Sequence, residues 1–189
     1  MPYYKKQKMT RFLLLIISFT LIIQAFGQRL RPGDRIEHVE RNYILGNFQK
    51  NHNDTATVIY DRVVSADSTI ENDCGKPVCN IQIKFSSNIP EINIEAYDIH
   101  IDTTYDINHD GIKELLIYHW WVQNSWTTIS IYSFIDNNWT ELQKTQAFVV
   151  DDTDYENRVI KNGKRYYLIG DSWNKDFTYT YKSKMKINK

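Results

Sequence analysis

The sequence is poor in the features that mark several large protein classes. It contains two cysteines, and its 23 Lys and Arg residues are balanced by 23 Asp and Glu residues. It has none of the H-E-x-x-H, G-x-S-x-G, Walker or G-x-G-x-x-G patterns of common hydrolases and nucleotide-binding enzymes. Its apolar run near the N terminus is shorter than the roughly 18 residues of a membrane-spanning helix. These absences argue against those enzyme classes and against a transmembrane segment in the mature chain.

The N-terminal residues have the layout of a secretory signal peptide. A basic start is followed by the apolar run FLLLIISFTLII and then by the small residues Ala25 and Gly27. We expect cleavage before Gln28, with an uncleaved anchor as the alternative. The sequence therefore predicts a signal peptide over 1–27 and a single β-rich domain over 28–189. The protein would be periplasmic, displayed at the cell surface or secreted.

Export would leave a mildly acidic domain. The leader contains four basic residues and no acid, so 19 basic residues face 23 acidic ones in residues 28–189. Binding of nucleic acid through a broad basic surface needs clustered Lys and Arg. The sequence therefore predicts no nucleic-acid partner, and its many Tyr and Trp side chains are expected in sheets and interfaces.

The two cysteines lie close together in the sequence. Cys74 and Cys79 are separated by a segment containing Gly75 and Pro77, which favours a turn. An exported chain meets oxidising conditions, so we expect a disulfide between them that closes a short loop.

Beyond the leader, the hydrophobic pattern is that of strands. Short runs rich in Ile, Val, Tyr, Thr and Trp are broken by Asn, Asp and Gly, and little of the chain has a helical period. Asn162-Gly163 is a strong hairpin signal. The fold class predicted is all-β, an antiparallel meander of hairpins. The clearest strands cover 55–64, 78–85, 114–122, 127–135, 139–148, 158–160, 164–169 and 177–187.

The strand at 114–122 is predicted to lie inside the fold. Leu115, Ile117 and His119 point to one side and Leu116 and Tyr118 to the other, so both faces are largely apolar. A lone histidine in such a strand is expected to be a core residue.

A run of oxygen donors precedes this strand and predicts a calcium site. Side chains with oxygen alternate along the loop, a glycine stands at the sixth position, and a backbone carbonyl is available at the seventh. Calcium accepts about 6 to 8 oxygens in loose geometry, which suits a tight turn of this kind. The alternative is an Asx turn whose side chains cap their own backbone. The predicted ligands are Asp106, Asn108, Asp110, the carbonyl of Ile112, and Glu114.

The stretch from Tyr105 to Ile117 resembles the FG-GAP and VCBS type of calcium-loop repeat, of the exported bacterial kind. A degenerate copy with altered ligands runs from Asn47 to Thr55, 59 residues upstream. The resemblance implies a β-propeller-like fold, small or incomplete at this length, with structural calcium. It also implies a non-catalytic binding or scaffold protein with a protein or glycan partner.

Two further surfaces are candidates for binding. Trp121, Trp126 and Trp139 lie near polar loops and could form an exposed aromatic surface, or they could complete the core. The acidic run 151–154 could bind a second cation or a basic partner. One alternative function is inhibition of a foreign hydrolase such as lysozyme, because a group of exported lysozyme inhibitors has a similar calcium-loop propeller.

A second alternative is a metal-dependent hydrolase. Asp98, His100 and Asp102 share one face of an extended segment and could hold a catalytic metal. The site would need further histidine ligands. The candidates for these are His38, His52, His109 and His119.

Overall fold

The structure is a computed structural model that describes residues 31–46, 54–67, 79–86, 89–121 and 125–187. Within these ranges the chain forms eleven strands and one short 3-10 helix. All paired strands are antiparallel. The predicted all-β class and its antiparallel hairpins are therefore confirmed.

The strands form three sheets, and each sheet is a meander in chain order. The first sheet contains β1 (Arg35–Gly46), β2 (Asp54–Val64), β3 (Cys79–Phe85) and β4 (Ile92–Ala96). The middle sheet contains β5 (Asp98–Thr103), β6 (Leu115–Trp120), β7 (Trp126–Ile135) and β8 (Asn138–Phe148). The C-terminal sheet contains β9 (Val159–Asn162), β10 (Arg165–Trp173) and β11 (Thr180–Lys186), and the 3-10 helix is Asp152–Tyr155. The described residues show no closed ring of sheets, so a propeller-like arrangement stays a prediction.

The middle sheet lies between the other two because both of its faces are apolar. Leu115 and Ile117 of β6 share one core cluster with side chains of the first sheet, such as Val58 and Ile81. Leu116 and Tyr118, which point to the opposite face of β6, belong to a second cluster. This cluster also contains Tyr166 and Leu168 of the C-terminal sheet. Strand β6 is buried on both faces over most of its length, as the sequence predicts.

Tight turns set the hairpin registers. Asp136 and Asn137 both have positive φ, at 50° and 63°, as a two-residue hairpin turn requires. Gly163 also has positive φ and joins β9 to β10 where the Asn-Gly signal predicts a hairpin. Strands β1, β4 and β5 are not among the clearest predicted strands, and β10 continues to Trp173, beyond the predicted end at 169. Strand β11 begins at Thr180, because the preceding residues form a loop.

A close approach and a buried ion pair that is hydrogen-bonded to Phe148, at the end of β8, join the middle sheet to the C-terminal sheet. A Cβ atom added to Gly170 would lie 2.2 Å from Thr145 Oγ1, so β10 passes too near β8 for any larger residue. Arg158 Nη1 donates to Asp171 Oδ2 at 2.7 Å, and both side chains are almost fully buried. The guanidinium also donates to the carbonyls of Phe148 and Asp154. This network fixes how the two sheets meet.

Some predictions fall outside the described residues. These are the leader, Cys74, His52 and residues 47–53 of the degenerate copy. Cys79 is buried at the start of β3 and is not a free cysteine, and its bridge to Cys74 stays a prediction. No helix among the described residues has the length and apolarity to cross a membrane.

Candidate functional site

The predicted calcium loop joins β5 to β6. Its two ends are held together by a hydrogen bond from the Glu114 amide to the Tyr105 carbonyl, 3.3 Å long. His109 and Gly111 both take left-handed backbone conformations, with φ of 68° and 91°. Glycine at the sixth position permits this bend without strain. The backbone therefore has the tight turn that the sequence predicts.

The side chains of the loop are engaged with its own backbone. Asp106 accepts hydrogen bonds from the amides of His109, Asp110 and Gly111 at 2.7, 3.1 and 3.0 Å. Asn108 Oδ1 accepts from the Asp110 amide, and Asp110 Oδ1 accepts from the amide of the residue two positions on. These contacts are those of the Asx-turn alternative.

Glu114 anchors the loop to the middle sheet. It is buried and accepts hydrogen bonds from the amides of Ile107, at 2.7 Å, and Asn108, at 3.4 Å. Ser133 of β7 donates to the same carboxylate. Burial raises the pKa of Glu114, while these hydrogen bonds act in the opposite sense. The carboxylate therefore fixes the loop to the middle sheet.

The loop has the residue types of a calcium site, but its carboxylates do not converge on one point. Asn108 Nδ2, a donor, lies 2.8 Å from Asp110 Oδ2. Across the part of the chain that the structure describes, no three His, Cys, Asp or Glu side chains are grouped to hold a metal. Ile112 packs its side chain against the first core cluster. The carboxylates of Asp106 and Asp110 keep further lone pairs beside the amides that they cap, so calcium binding at this loop stays a prediction.

The hydrolase candidates lie along β5 and are each engaged with a different neighbour. Asp98 pairs with Arg41 of β1, and Asp102 accepts from the amide of the residue after it. The His100 ring stacks on Tyr155, with centroids 4.2 Å apart. The described structure does not bring these three side chains together around one point.

The other described histidines are also separated from β5's acidic face. His38 contacts Asp61 in the first sheet, and His109 lies in the loop near the Tyr166 ring. His119 is buried in β6, where desolvation lowers its pKa to about 4. Its Nδ1 atom is buried without a hydrogen-bond partner. His119 is a neutral core residue at neutral pH.

The three candidate tryptophans have different surroundings. Trp139 donates from Nε1 to the Pro90 carbonyl at 2.7 Å and packs against the first core cluster. Trp126 is half-buried and contacts the rings of Phe148 and Trp173 at centroid distances of 5.4 and 5.6 Å. Trp121 is 48% exposed. Trp121 and Trp126 lie at the same end of the middle sheet.

The acidic run after β8 caps its own turn. Asp154 Oδ2 accepts hydrogen bonds from the amides of Val150 and Asp151. Its carbonyl accepts from Arg158. Asp154 therefore supports the junction between the middle and C-terminal sheets.

Among the described residues, the largest set of exposed aromatic side chains lies at the end of β10 and β11. Phe177 is 75% exposed, and Trp173, Tyr179 and Tyr181 are exposed as well. Through the Trp126–Trp173 contact this group continues onto the middle sheet. Sequence reasoning placed 177–187 in a strand and so missed this surface. The sequence signal for a loop here is Asn174, a residue type that commonly caps turns.

That loop is ordered by one asparagine. Asn174 Oδ1 accepts from the amides of Thr178 and Tyr179, and Nδ2 donates to Thr178 Oγ1. Phe177 has a φ of 54°, which is unfavourable for a bulky residue. The loop therefore holds an exposed phenylalanine in a strained conformation.

The chain matches no protein-family model, no curated protein and no solved structure. Its resemblance to calcium-loop repeats therefore rests on the residues of the loop.

A cleft of about 320 Å³ lies between the calcium-type loop and the segment that follows the 3-10 helix. Its walls include Asp102, Tyr105, Lys113, Tyr155 and Arg158. The guanidinium of Arg158 is already bound to Asp171 and to two carbonyls. The cleft is thus a polar recess whose buried cation serves the sheet junction.

Charge is distributed unevenly between the sheets. Residues 159–187 contain two acids, Asp171 and Asp176, whereas residues 28–158 contain 11 basic and 21 acidic side chains. The C-terminal sheet and its turns are therefore basic in a protein that is otherwise acidic. The seven basic residues of this segment are Lys161, Lys164, Arg165, Lys175, Lys182, Lys184 and Lys186.

Proposed function

We propose that this chain is an exported, non-catalytic binding protein with a propeller-like, calcium-stabilised fold. It acts at the cell envelope or outside the cell by contact with a protein or a glycan. The observation that carries the proposal is the aromatic surface formed by Trp126, Trp173 and the exposed hairpin side chains beyond them, with the exposed Trp121 at the same end of the middle sheet. Large apolar side chains grouped in solvent are typical of interaction surfaces.

The contacts that the acidic and histidine side chains make support a binding role. Asp98 pairs with Arg41, His100 packs between tyrosine rings, and Glu114 caps two amides. These groups, which could do chemistry elsewhere, here contact structural partners. The aromatic surface, in contrast, contributes few contacts to the core.

Two features support a propeller-like fold. Each four-stranded sheet is a meander in chain order, as in a propeller blade, and the sheets pack face to face. The good copy of the loop motif lies between β5 and β6, and the degenerate copy lies between β1 and β2 in the sequence. Both copies thus occupy the first connection of their sheet, which is the relation expected of two repeats.

Calcium binding at the loop is tested by thermal unfolding. Ligand binding to the folded state raises its stability by mass action, so millimolar calcium should raise the Tm by several degrees. Asp110→Asn keeps an oxygen acceptor for the turn and removes a charge, so it should lose most of that shift. Asp136→Asn, in the β7–β8 turn, is the matched control. Equal calcium responses in all three proteins would exclude a site at Asp106–Glu114.

The binding role is tested with the mature protein and defined probes. These are purified peptidoglycan, soluble neutral and acidic polysaccharides, and lysozyme, followed by co-sedimentation and tryptophan fluorescence. We expect binding to one of these classes that Trp173→Ala weakens and Ile44→Ala, an exposed change on β1, leaves intact. Inhibition of lysozyme would identify the inhibitor alternative. The proposal fails if no probe binds, or if His100→Ala abolishes a metal-dependent hydrolysis.

A further inference from the structure

We propose that the C-terminal sheet binds a linear acidic polysaccharide that lies along β10 and β11. The inference rests on the proposed function, since it names the partner class of that binding protein. It is carried by one juxtaposition: a row of lysines and a row of large apolar side chains run side by side on the same face of this sheet.

The lysine row is on the edge strand β11. Lys182, Lys184 and Lys186 alternate along the strand, so they share one face. Neighbouring lysines in the row are about 7 Å apart, twice the rise per residue of a strand. All three are exposed. A repeating polyanion could pair with such a row at successive units.

The apolar row is on β10. The register places Tyr167 opposite Lys186 and Ile169 opposite Lys184. Trp173 lies on the same face beyond Asp171, whose buried carboxylate is neutralised by Arg158 and Lys182. Lys184 Nζ lies 4.0 Å from the centroid of the Tyr167 ring. The two rows are therefore in direct contact. Sugar rings have apolar faces that can cover aromatic side chains while their acidic groups reach the lysines beside them.

The sheet is long enough for several sugar units. Strand β10 has nine residues and so spans about 27 Å. The turn at one end carries Lys164 and Arg165, and the opposite end carries Trp173 and Phe177. A polymer lying along the strands would meet both groups. A flat membrane touching the aromatic end would lie far from most of the basic side chains.

Lysines on an edge strand also discourage pairing with another sheet. That role explains the charge of β11, but it does not explain why large aromatic side chains are exposed beside it. Phe177 adopts a left-handed conformation, which costs stability, and its exposed ring buries little surface to offset that cost. A ligand that covers this end would explain both the charge and the aromatic side chains.

The charge distribution favours an anionic ligand at this sheet over the rest of residues 28–158. The acidic remainder of residues 28–158 repels polyanions, whereas residues 159–187 attract them. Lys182 is partly engaged by Asp171 at 2.9 Å, which leaves Lys184 and Lys186 as the freer contacts. Binding should therefore depend strongly on ionic strength.

The test is calorimetric titration of the full mature protein with polygalacturonate oligomers and with a neutral glucan of equal length. We expect the acidic oligomers to bind at least ten-fold more tightly, with the preference shrinking between 20 and 300 mM salt. Lys184→Glu should weaken binding about ten-fold at low salt, because it reverses a charge. Lys84→Glu, an exposed change on β3, is the matched control and should bind as the native protein does.

A second arm tests the aromatic row. Trp173→Ala should weaken polygalacturonate binding about ten-fold, whereas Ile44→Ala should not. Equal affinity for acidic and neutral oligomers, or equal losses in Lys184→Glu and Lys84→Glu, would overturn the inference. So would binding to anionic lipid vesicles or to an acidic protein with no binding to the polysaccharide. Binding to an acidic protein would leave the proposed function intact with a different partner class, whereas binding to lipid vesicles alone would overturn both proposals.

Discussion

The middle sheet and the C-terminal sheet use their side chains in opposite ways. In the middle sheet, β6 is covered on both faces, and the polar loop before it is satisfied by its own backbone. In the C-terminal sheet, β10 buries one face, while Trp173 and the hairpin beyond it present aromatic rings to solvent. Both sheets are antiparallel meanders, so topology alone does not distinguish them.

The difference distinguishes a loop that stabilises the fold from a loop that presents side chains for binding. The Asp106–Glu114 loop engages its polar atoms internally and buries Ile107 beneath them. The Asn174 loop also engages its polar atoms internally, but it holds Phe177 outward. A self-capped turn over a buried residue stabilises the fold. A self-capped turn under an exposed aromatic residue presents a surface.

The strongest test of the comparison removes the junction between the two sheets. Arg158→Ala takes away a buried guanidinium and leaves Asp171 with the Phe148 amide and the exposed Lys182 as partners. Loss of one partner from a buried pair typically costs about 3 to 5 kcal/mol. We expect urea unfolding to show a loss of about 4 kcal/mol.

Lys182→Ala is the matched control, because it removes the other cation from the same carboxylate. Lys182 is mostly exposed, so its loss should cost less than about 1 kcal/mol. Similar losses in the two variants would mean that burial does not decide the strength of this junction.

Lowering the pH tests whether His119 of β6 is buried and uncharged in the folded protein. Unfolding frees His119 to bind a proton near pH 6.5, whereas the folded protein resists protonation until pH about 4. The free energy of unfolding should therefore fall as pH drops from 6.5 to 4, by about 3 kcal/mol from this group. His119→Leu should flatten that part of the stability profile measured by urea unfolding.

His38→Gln provides the comparison, because His38 is exposed on β1. His38 and its partner Asp61 are both exposed, so this change should alter the free energy of unfolding by less than about 1 kcal/mol. An unchanged slope in His119→Leu would contradict a neutral, buried His119.

Removal of the buried Glu114 carboxylate, which anchors the calcium-type loop, should lower the free energy of unfolding. Glu114→Ala leaves the amides of Ile107 and Asn108 without their acceptor, and unsatisfied buried groups cost about 1 to 3 kcal/mol. We expect a loss of about 2 kcal/mol in calcium-free urea unfolding. Glu114→Gln keeps one acceptor and should lose about half as much. If both variants unfold like the native protein, the carboxylate does not anchor the loop.

Much of the fold could be predicted because its signals are local. The two-sided apolar pattern of β6 predicts a buried strand, and the Asn162-Gly163 turn predicts a hairpin. Strand β1 was not among the clearest predicted runs because it alternates charged residues with few apolar ones. Its place in the sheet depends on pairing with β2, which lies beyond a short sequence window.

The candidate site was less predictable, because it depends on where side chains point. The loop sequence suits both calcium and an Asx turn, and only the hydrogen bonds show which oxygens face the backbone. The tryptophans were candidates as a set, yet Trp139 packs at the core and Trp121 does not. The hairpin surface was missed because Phe177 and Tyr179 have a strand-like alternation, while Asn174 folds them into a loop.

The smallest expected effect has the opposite sign from the others and tests the exposed loop directly. Phe177 has a φ of 54°, which asparagine tolerates better than a bulky side chain does. Phe177→Asn should therefore stabilise the protein by about 0.5 to 1 kcal/mol in urea unfolding. Phe177→Val, which is β-branched, should destabilise it by a similar amount. A loss of stability in Phe177→Asn would show that this ring contributes to folding, and the contrast between the two sheets would no longer hold.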